Sequence, residues 1–237
     1  MVTTRPWTVR VVVPARDERD LLAACLSSLA AAVAHVVEAR PGTVASVTLV
    51  LDRCLDDSAE VAARFDGIDV LAVDHGRVGA ARAAGVRHAT RTDPDDGRVW
   101  VANTDADCVV PVAWLTDHLD LADRGHEAVL GVVEPHGSEL VDAVLATWWA
   151  RHERRDGHGH VHGANLGLTL DAYRAAGGFP DAIAHEDVVL VERLRRSGVR
   201  WFAAGSPSVA TSGRREGRAP DGFAAYLLAL ESEEPSA

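Results

Sequence analysis

Two aspartates in "VWVANTDADCVV" follow an apolar run and could bind a divalent cation. Asp105 and Asp107 come directly after a stretch that reads as a buried strand, where neighbouring carboxylates repel each other and resist burial. Residues i and i+2 of an extended chain point the same way, so both side chains could converge on one site. Mg²⁺ and Mn²⁺ prefer such oxygen ligands and are often shared with substrate phosphates. The alternative is a solvated turn that caps the helix after Pro111.

A second acidic pair, Glu186 and Asp187, stands at the start of the helical pattern "HEDVVLVERL". A carboxylate at this position could act as a general base that accepts a proton from a substrate hydroxyl. The dipole of a helix also stabilises acidic residues in its first turn, so a purely structural role remains open.

Two further segments carry side chains that could bind a ligand. In "HGRVGAARAAG", Arg77 and Arg82 could reach a base or a phosphate, or could lie on a surface helix; the segment matches neither common phosphate-loop pattern. In "HGHVHGANLG", histidines alternate at positions 158, 160 and 162, which is not the usual spacing of zinc ligands. This loop is better interpreted as an acceptor-side loop or a solvated loop.

The elements that must position these residues alternate between strands and helices, which indicates a parallel α/β sheet. The pattern predicts strands over residues 9–14, 46–52, 68–74 and 99–104, and helices over residues 20–38, 58–65 and 79–88. Ligands of open parallel sheets bind outside the carboxyl ends of the strands. Polar residues stand at each of these four ends: Arg16, Asp17, Glu18, Asp52, Asp74 and Asp105.

The pattern after Pro111 is less regular, but no linker separates a second domain. It predicts a helix to about residue 124, a strand over 128–134 and a helix through Trp148 and Trp149. A further helix near 185–198 and two short strands near 199–204 and 207–211 complete the chain. We therefore expect one domain over residues 1–237.

Composition excludes several classes of function and partner. The formal charge of -11 argues against binding to nucleic acid, and all 24 basic residues are arginine, so a Schiff-base lysine is excluded. Three scattered cysteines fit neither a disulfide framework nor a zinc cluster, which predicts a cytoplasmic protein. The apolar run at 21–37 is alanine-rich and short for a bilayer span, so we expect a helix packed on the sheet and no integral membrane segment.

Six segments, taken in order, resemble the family 2 glycosyltransferases, which have the GT-A fold. They are "VVVPARDE", "LVLDRCLDDS", "GRVGAARAAG", "TDAD", "GANLGLTLDAYRAAGGFPD" and "HEDVVLVERL", and they cover roughly residues 9–197. The resemblance implies a Rossmann-like, mostly parallel central sheet flanked by helices. It also implies a nucleotide-binding half at about 9–110 and an acceptor and catalytic half at about 111–237.

The resemblance implies a nucleotide-sugar donor and a Mn²⁺ or Mg²⁺ cofactor in the first half. Asp107 would bind the metal directly, while Asp105 would lie at the ribose and the metal. Asp52 would hydrogen-bond the base, and Arg77 would contact the base or the diphosphate. An aspartate at position 52 suits the N3–H of uracil and also the donors of guanine, and we lean to uracil. The implied nucleotide-binding residues are Pro14, Ala15, Arg16, Glu18, Asp52, Arg77 and Asp105.

In the second half, the resemblance implies single-step, inverting attack by an acceptor hydroxyl on the anomeric carbon. Asp187, with Glu186 beside it, would be the catalytic base. The acceptor would be a small molecule, a glycan or a lipid. The residues implied for the donor and acceptor side are His162, Gly163, Asn165, Arg214 and Arg215.

The chain departs from the family pattern in three places. The second motif reads "DRCLDDS" without the usual Gly-Ser, and no histidine follows His185 to act as a late metal ligand. Water, or a histidine of the 158–162 loop, would then complete the metal shell. "GVRWFAA" lacks the Gln-x-x-Arg-Trp of processive members, which favours transfer of a single sugar. The alternatives are a sugar-phosphate nucleotidyltransferase and a non-catalytic partner protein with the same fold.

Overall fold

Eight strands form one curled sheet in the computed structural model, which describes residues 5–93, 98–137, 142–152, 154–182, 184–214 and 223–232. The strands are β1 (Thr8–Ala15), β2 (Val44–Asp52), β3 (Ile68–Val73), β4 (Val99–Asn103), β5 (Cys108–Val109), β6 (Ala128–His136), β7 (Leu166–Thr169) and β8 (Trp201–Ser212). The helices are α1 (Leu22–Ala39), α2 (Ser58–Ala62), α3 (Val78–Ala89), α4 (Trp114–Asp123), α5 (Asp142–Arg151), α6 (Leu170–Ala175), α7 (Glu186–Arg196) and α8 (Phe223–Ser232).

The order of the strands is β3-β2-β1-β4-β7-β6-β8-β5. The first four are parallel to one another, so their carboxyl ends share one edge. β7 runs antiparallel to both of its neighbours, and β6 and β8 are parallel. The predicted α/β fold with a mostly parallel sheet flanked by helices is confirmed.

Alternation along β1 divides the core into two layers, one on each face of the sheet. Val9, Val11 and Val13 are fully buried in the layer that contains residues of α1 and α4. Val12 is buried in the other layer, with residues of α3, α6 and α7. A strand covered on both faces reads as a continuous apolar run, as "VRVVVP" nearly does.

Helix α1 is apolar and long enough to cross a membrane by length and composition, with a mean hydropathy of 1.7. Six of its residues are nevertheless buried in the protein core: Leu22, Cys25, Leu26, Leu29, Ala32 and Val36. The predicted packing of this helix against the sheet is confirmed.

Helix α3 approaches the sheet closely because it carries small residues on its inner face. A Cβ on Gly85 would lie 2.5 Å from Val12 Cγ1 and 2.7 Å from Val50 Cγ2, so no larger residue fits there. The close approach brings the preceding turn of α3, which contains Arg82, to the carboxyl ends of β1 and β4.

Two features of the second half differ from the predicted pattern. The strands expected near 199–204 and 207–211 form the single strand β8, whose register against β6 shifts between Gly131 and Val133. β7, α6 and the ten-residue α8 were not predicted; β7 and α6, with four and six residues, are too short to give a clear periodic pattern.

Residues 104–107 connect β4, in the middle of the sheet, to β5 at its far edge. Four residues span too short a distance to cross a flat sheet past β7, β6 and β8. The sheet therefore curls, and Asp105 and Asp107 lie where its centre and its edge meet.

Candidate active site

A cavity of about 590 Å³ opens beside the carboxyl ends of β1, β2 and β4. It brings together nearly all of the residues predicted for the site. Those that line it are Pro14, Ala15, Arg16, Glu18, Asp52, Arg77, Asp105, Asp107, His162, Gly163, Glu186, Asp187 and Arg214.

Asp52 lies buried at the end of β2 and holds the loop that follows β3. Its Oδ1 accepts hydrogen bonds from the backbone N–H groups of His75 and Gly76 at 2.8 and 2.9 Å. Arg77 comes next in this loop, and its Nε lies 3.0 Å from Asp181 Oδ1. Asp52 therefore positions the loop that carries Arg77 on the cavity wall.

Asp105 and Asp107 converge, although they do so in a turn and not in the extended chain that the i and i+2 argument assumed. The backbone N–H of Cys108 donates to the Asp105 carbonyl at 3.1 Å and closes the turn. One carboxylate oxygen of each aspartate and the Cys108 sulfur lie within 4.8 Å of one another.

Burial distinguishes the two aspartates. The side chain of Asp107 is 16% exposed, against 36% for that of Asp105. Burial, reinforced by the nearby Asp105 carboxylate, raises the pKa of Asp107 to about 6, while Arg214 opposes the shift. Two close carboxylates, each with oxygen atoms directed to the same place, form a donor set that suits a hard divalent cation.

Cys108 does not belong to that donor set. Its thiol is fully buried, and burial together with Asp107 and Asp105 raises its pKa well above the ordinary value. A protonated thiol is a poor ligand for Mg²⁺ or Mn²⁺. Among the described residues, no histidine joins the aspartates in a cluster with metal-ligand spacing.

Arg214 neutralises part of the acidic site from the end of β8. Its two terminal nitrogens bind the Glu18 carboxylate bidentately at 2.6 and 2.8 Å, and Nη2 lies 3.1 Å from Asp107 Oδ2. Glu18 is itself held by its backbone N–H, which donates to Ser58 Oγ at 2.9 Å. Arg215, predicted beside Arg214, lies outside the described residues.

The sequence suggested that Arg82 could reach a base or a phosphate. In the structure its side chain is buried and forms ion pairs within the protein. Its Nη2 forms an ion pair with Asp105 Oδ1, its Nε lies 3.3 Å from Glu186 Oε1, and its Nη1 donates to the Thr104 carbonyl at 3.4 Å. The guanidinium therefore joins the predicted metal-binding turn to the start of α7.

The sequence contained a signal for this burial. Arg82 lies three residues after Gly79 and three before Gly85, on the small-residue face of α3 that packs inward. A Cβ on Gly79 would lie 2.3 Å from the Pro180 carbonyl oxygen, so this face is tightly enclosed.

Glu186 and Asp187 begin α7, immediately after His185 turns the chain with a left-handed backbone (φ 60°, ψ 26°). Asp187 Oδ2 accepts from the backbone N–H of Gly163 at 2.7 Å, and Oδ1 accepts from that of Val188 at 2.8 Å. Glu186 is buried; burial raises its pKa, and Arg82 opposes the shift.

Gly163 has no room for a side chain, because a Cβ there would lie 2.8 Å from Arg82 Nη2. The residue is therefore fixed between the Arg82 guanidinium and the Asp187 carboxylate. His162 precedes it on the cavity wall, where burial lowers the imidazole pKa to about 3.

Asn165 does not reach the cavity, which corrects its predicted place on the donor and acceptor side. The side chain is buried: Oδ1 accepts from Trp114 Nε1 at 2.9 Å, and Nδ2 donates to the Val132 carbonyl at 2.8 Å. It occupies the space above Gly131, where a Cβ would lie 2.1 Å from Nδ2. Asn165 ties β6 and α4 together behind the site.

A model of one protein family matches most of the sequence. The family is described as Glycosyl transferase family 2, and the match covers residues 10–174. No curated protein matches the sequence.

Several solved structures share the fold at low sequence identity. The structure of residues 1–349 of Staphylococcus aureus TarS has a TM-score of 0.63 and 14% identity, covering 88% of this chain and 61% of TarS 1–349. Mannosyltransferase PcManGT from Pyrobaculum calidifontis, in complex with GDP-Man and Mn²⁺, has a TM-score of 0.63 and 20% identity, covering 97% of this chain and 70% of that one.

A third structure is glucosyl-3-phosphoglycerate synthase from Mycobacterium tuberculosis, in complex with Mn²⁺, UDP-Glc and phosphoglyceric acid. Its TM-score is 0.55 at 15% identity, covering 94% of this chain and 78% of that one. The present chain spans about three fifths of the TarS 1–349 structure and 36% of the longer TarS structure.

Proposed function

The chain belongs to glycosyl transferase family 2, and from that premise we propose that it transfers a single sugar from a nucleoside-diphosphate sugar to an acceptor hydroxyl. The reaction would be a single displacement that inverts the configuration of the anomeric carbon.

One observation carries this proposal: the cavity unites a pair of carboxylates suited to a cation with a separate carboxylate suited to proton transfer. Asp105 and Asp107 lie on one side, and Asp187 lies on another, fixed by two backbone N–H groups. Arg82 and Glu186 connect the two sides through buried ion pairs. A transfer reaction needs both groups around one substrate.

On the donor side, Asp107 and Asp105 would hold Mn²⁺ or Mg²⁺. The bound ion would supply positive charge opposite the diphosphate as it leaves. PcManGT and glucosyl-3-phosphoglycerate synthase, which share the fold, were each solved with Mn²⁺ and a sugar nucleotide, GDP-Man in one case and UDP-Glc in the other. We favour UDP here because Asp52 Oδ2 would accept the N3–H of uracil.

On the acceptor side, Asp187 would act as the general base. The acceptor oxygen forms a bond to the anomeric carbon, and its proton passes to a carboxylate oxygen of Asp187. The bond between that carbon and the diphosphate oxygen breaks, and its electron pair leaves with the nucleoside diphosphate. The N–H groups of Gly163 and Val188 orient the carboxylate for this role.

The cytoplasmic location expected from the sequence remains part of the proposal. It rests on three cysteines that are too few and too scattered for a disulfide framework.

A thermal-shift panel tests the proposed function directly. UDP, GDP and dTDP are each added with and without Mn²⁺, and we expect one nucleotide to raise the Tm only when Mn²⁺ is present. Release of that nucleotide from its sugar conjugates, measured across a donor panel, then identifies the sugar. If no nucleotide changes the Tm, the proposed donor site is wrong, and a binding or scaffold role is favoured instead.

A further inference from the structure

One side of the cavity is built from aromatic rings that the proposed chemistry does not use. We call it the aromatic wall and define it as Trp148, His152, His162, Phe223 and Tyr226, all of which line the cavity. They come from three separate segments: α5, the histidine loop and α8. Three distant segments that each bring rings to one surface indicate a built feature.

Four of the five rings of the wall, all except that of His162, are in contact with one another. His152 stacks on Trp148 with ring centroids 3.6 Å apart and planes 4° from parallel. Tyr226 meets the same pair edge-on, with centroids 5.8 Å from Trp148 and 5.5 Å from His152. Phe223 lies edge-on to Trp148 at 5.1 Å. These contacts hold the rings in fixed orientations. Trp148 is itself buried, so the partly exposed rings of His152, Phe223 and Tyr226 form the surface that a flat ligand could meet.

The wall leads to the carboxylate that would take the acceptor proton. His160 bridges its two histidines, with centroids 4.7 Å from His152 and 6.1 Å from His162. His162 is followed directly by Gly163, whose N–H donates to Asp187 Oδ2 at 2.7 Å. A molecule bound against the wall would therefore lie on the Asp187 side of the cavity.

The wall is uncharged at neutral pH. Burial lowers the pKa of His152, of His160 and of His162. Neighbouring histidines lower the pKa of His160 and His162 further, and the Arg151 guanidinium lowers that of His152. The carboxylates and guanidinium groups of the described cavity belong to other segments, around β1, α3, the 105–107 turn, α7 and Arg214. None of the five residues of the wall therefore carries a positive charge for an anionic acceptor.

The wall also has polar atoms suited to hydroxyl groups. His152 Nδ1 lies 3.0 Å from the Trp148 carbonyl oxygen, which can only accept, so this nitrogen carries the proton. Nε2 of the neutral ring is then an acceptor for a hydroxyl donor. Tyr226, with 38% of its surface exposed, adds a phenol hydroxyl.

We propose that the aromatic wall is the acceptor subsite and that it takes an uncharged sugar unit, whose C–H face packs on the rings while one hydroxyl meets Asp187. This inference rests on the proposed function, because it names the acceptor class for the same site. A sugar ring combines a flat apolar face with hydroxyl groups, and the wall combines ring faces with an imidazole acceptor.

The test compares two exposed aromatic residues, one on the wall and one elsewhere. Tyr226 and Trp201 are both 38% exposed, and Trp201 does not line the cavity. Saturation-transfer NMR would measure binding of methyl glycosides of glucose, galactose and mannose, alongside their 6-phosphates. We expect the uncharged glycosides to bind, Tyr226→Ala to weaken them about threefold to tenfold, and Trp201→Ala to leave them unchanged. Tyr226→Phe should restore most of the binding, because it keeps the ring.

Each other outcome contradicts the subsite. No glycoside binding, binding that Tyr226→Ala does not weaken, or preferential binding of the 6-phosphates would show that the wall is not a subsite for uncharged sugar. The nucleotide panel separates this failure from failure of the proposed function. A Mn²⁺-dependent nucleotide response without glycoside binding leaves glycosyl transfer standing and removes the subsite. Glycoside binding without any nucleotide response contradicts the proposed function, and the wall would then bind sugar without being an acceptor subsite.

Discussion

The donor side and the acceptor side of the cavity are assembled by different means. On the donor side, Asp52 ends β2 and Asp105 follows β4, and these two parallel strands flank β1, so the sheet alone brings both residues to one edge. On the acceptor side, Asp187 is fixed by Gly163, which lies on a separate segment. Sites at strand ends can thus be located from a strand pattern, whereas sites between segments depend on contacts that the pattern does not contain.

Arg82 links the two sides, and a second arginine, Arg214, holds the donor side together. Arg82 lies on α3, among the donor-side elements, yet it pairs with both Asp105 and Glu186. Arg214 comes from the end of β8 and pairs with Glu18 and Asp107 on the donor side. The comparison can therefore be tested by substitutions that disable one side, the other, or the links between them.

The largest expected effect is on the rate of sugar transfer, and substitutions on the two sides should differ in whether nucleotide binding is also lost. Asp187→Asn should lower transfer by about 10²- to 10⁴-fold, because a general base is lost, while the Mn²⁺-dependent nucleotide response stays. Asp107→Asn should remove both the transfer and the nucleotide response. Transfer assays and thermal shift measure the two readouts.

Asp74→Asn is the matched control for these variants. Asp74 follows β3 as Asp52 follows β2, but its side chain is 83% exposed and does not line the cavity. Near-normal transfer in both Asp187→Asn and Asp107→Asn would contradict the assignment of the two sides.

The second expected effect concerns the link through Arg82. Arg82→Met should lower the free energy of unfolding by about 3–5 kcal/mol, because it leaves Asp105 and Glu186 without their buried cation. Urea unfolding measures the change, and Glu186→Gln in the same chain should recover part of it.

Arg87→Met is the control, since Arg87 lies on the exposed face of the same helix. If the two substitutions lower the stability equally, Arg82 does not join the two sides.

The third expected effect concerns the loss of protein stability at low pH. It depends on His118, which hydrogen-bonds to Asn165 behind the acceptor side. Burial lowers the pKa of His118 to about 4 in the folded protein, whereas an imidazole in the unfolded chain has a pKa of about 6.5. Between these two values, His118 is protonated in the unfolded chain but neutral in the folded protein. Stability is then lost as the pH falls from about 6.5 toward 4, by about 1.4 kcal/mol per pH unit. His118→Gln should make this loss shallower.

Urea unfolding at pH 7.5 and pH 5.5 gives the two points needed, with His136→Gln as a control at an exposed position. An unchanged pH dependence in His118→Gln would mean that other groups cause the acid sensitivity.

The smallest expected effect concerns Arg214 and the metal. Its guanidinium contacts Asp107 and Glu18, so it competes for the carboxylate that would bind the cation. Arg214→Gln should strengthen Mn²⁺ binding to the nucleotide-free protein about twofold to fivefold, as measured by calorimetry.

Arg77→Gln serves as the control, because Arg77 lines the same cavity but pairs with Asp181. Weaker Mn²⁺ binding in Arg214→Gln would show that Arg214 supports the metal and does not compete with it.

The sequence predicts the donor-side residues because each one depends only on the strand that it ends or follows. A buried strand followed by polar residues predicts that Asp52 and Asp105 reach the same edge of the sheet, and both line the cavity. The position of Asp107 also depends on the turn that follows β4, and here the extended-chain argument reached the right convergence with the wrong backbone.

The remaining site depends on tertiary contacts that no spacing rule contains. The family resemblance implied that Asn165 lies on the donor and acceptor side, but its side chain instead occupies the space that the absent side chain of Gly131 leaves. The burial of Arg82 was visible only as small residues on one helix face. The aromatic wall was not foreseen, because its rings belong to α5, the histidine loop and α8.

The connection between β4 and β5 affects how the protein matures during synthesis. Asp107 leaves the ribosome long before β8, yet β5 pairs only with β8, and the Ser212 N–H donates to the Asp107 carbonyl at 3.2 Å. The strands β1 to β4 can pair as soon as they emerge, whereas the turn that carries Asp107 must wait for the last strand. Mn²⁺ binding would therefore report on completed folding of a newly made chain.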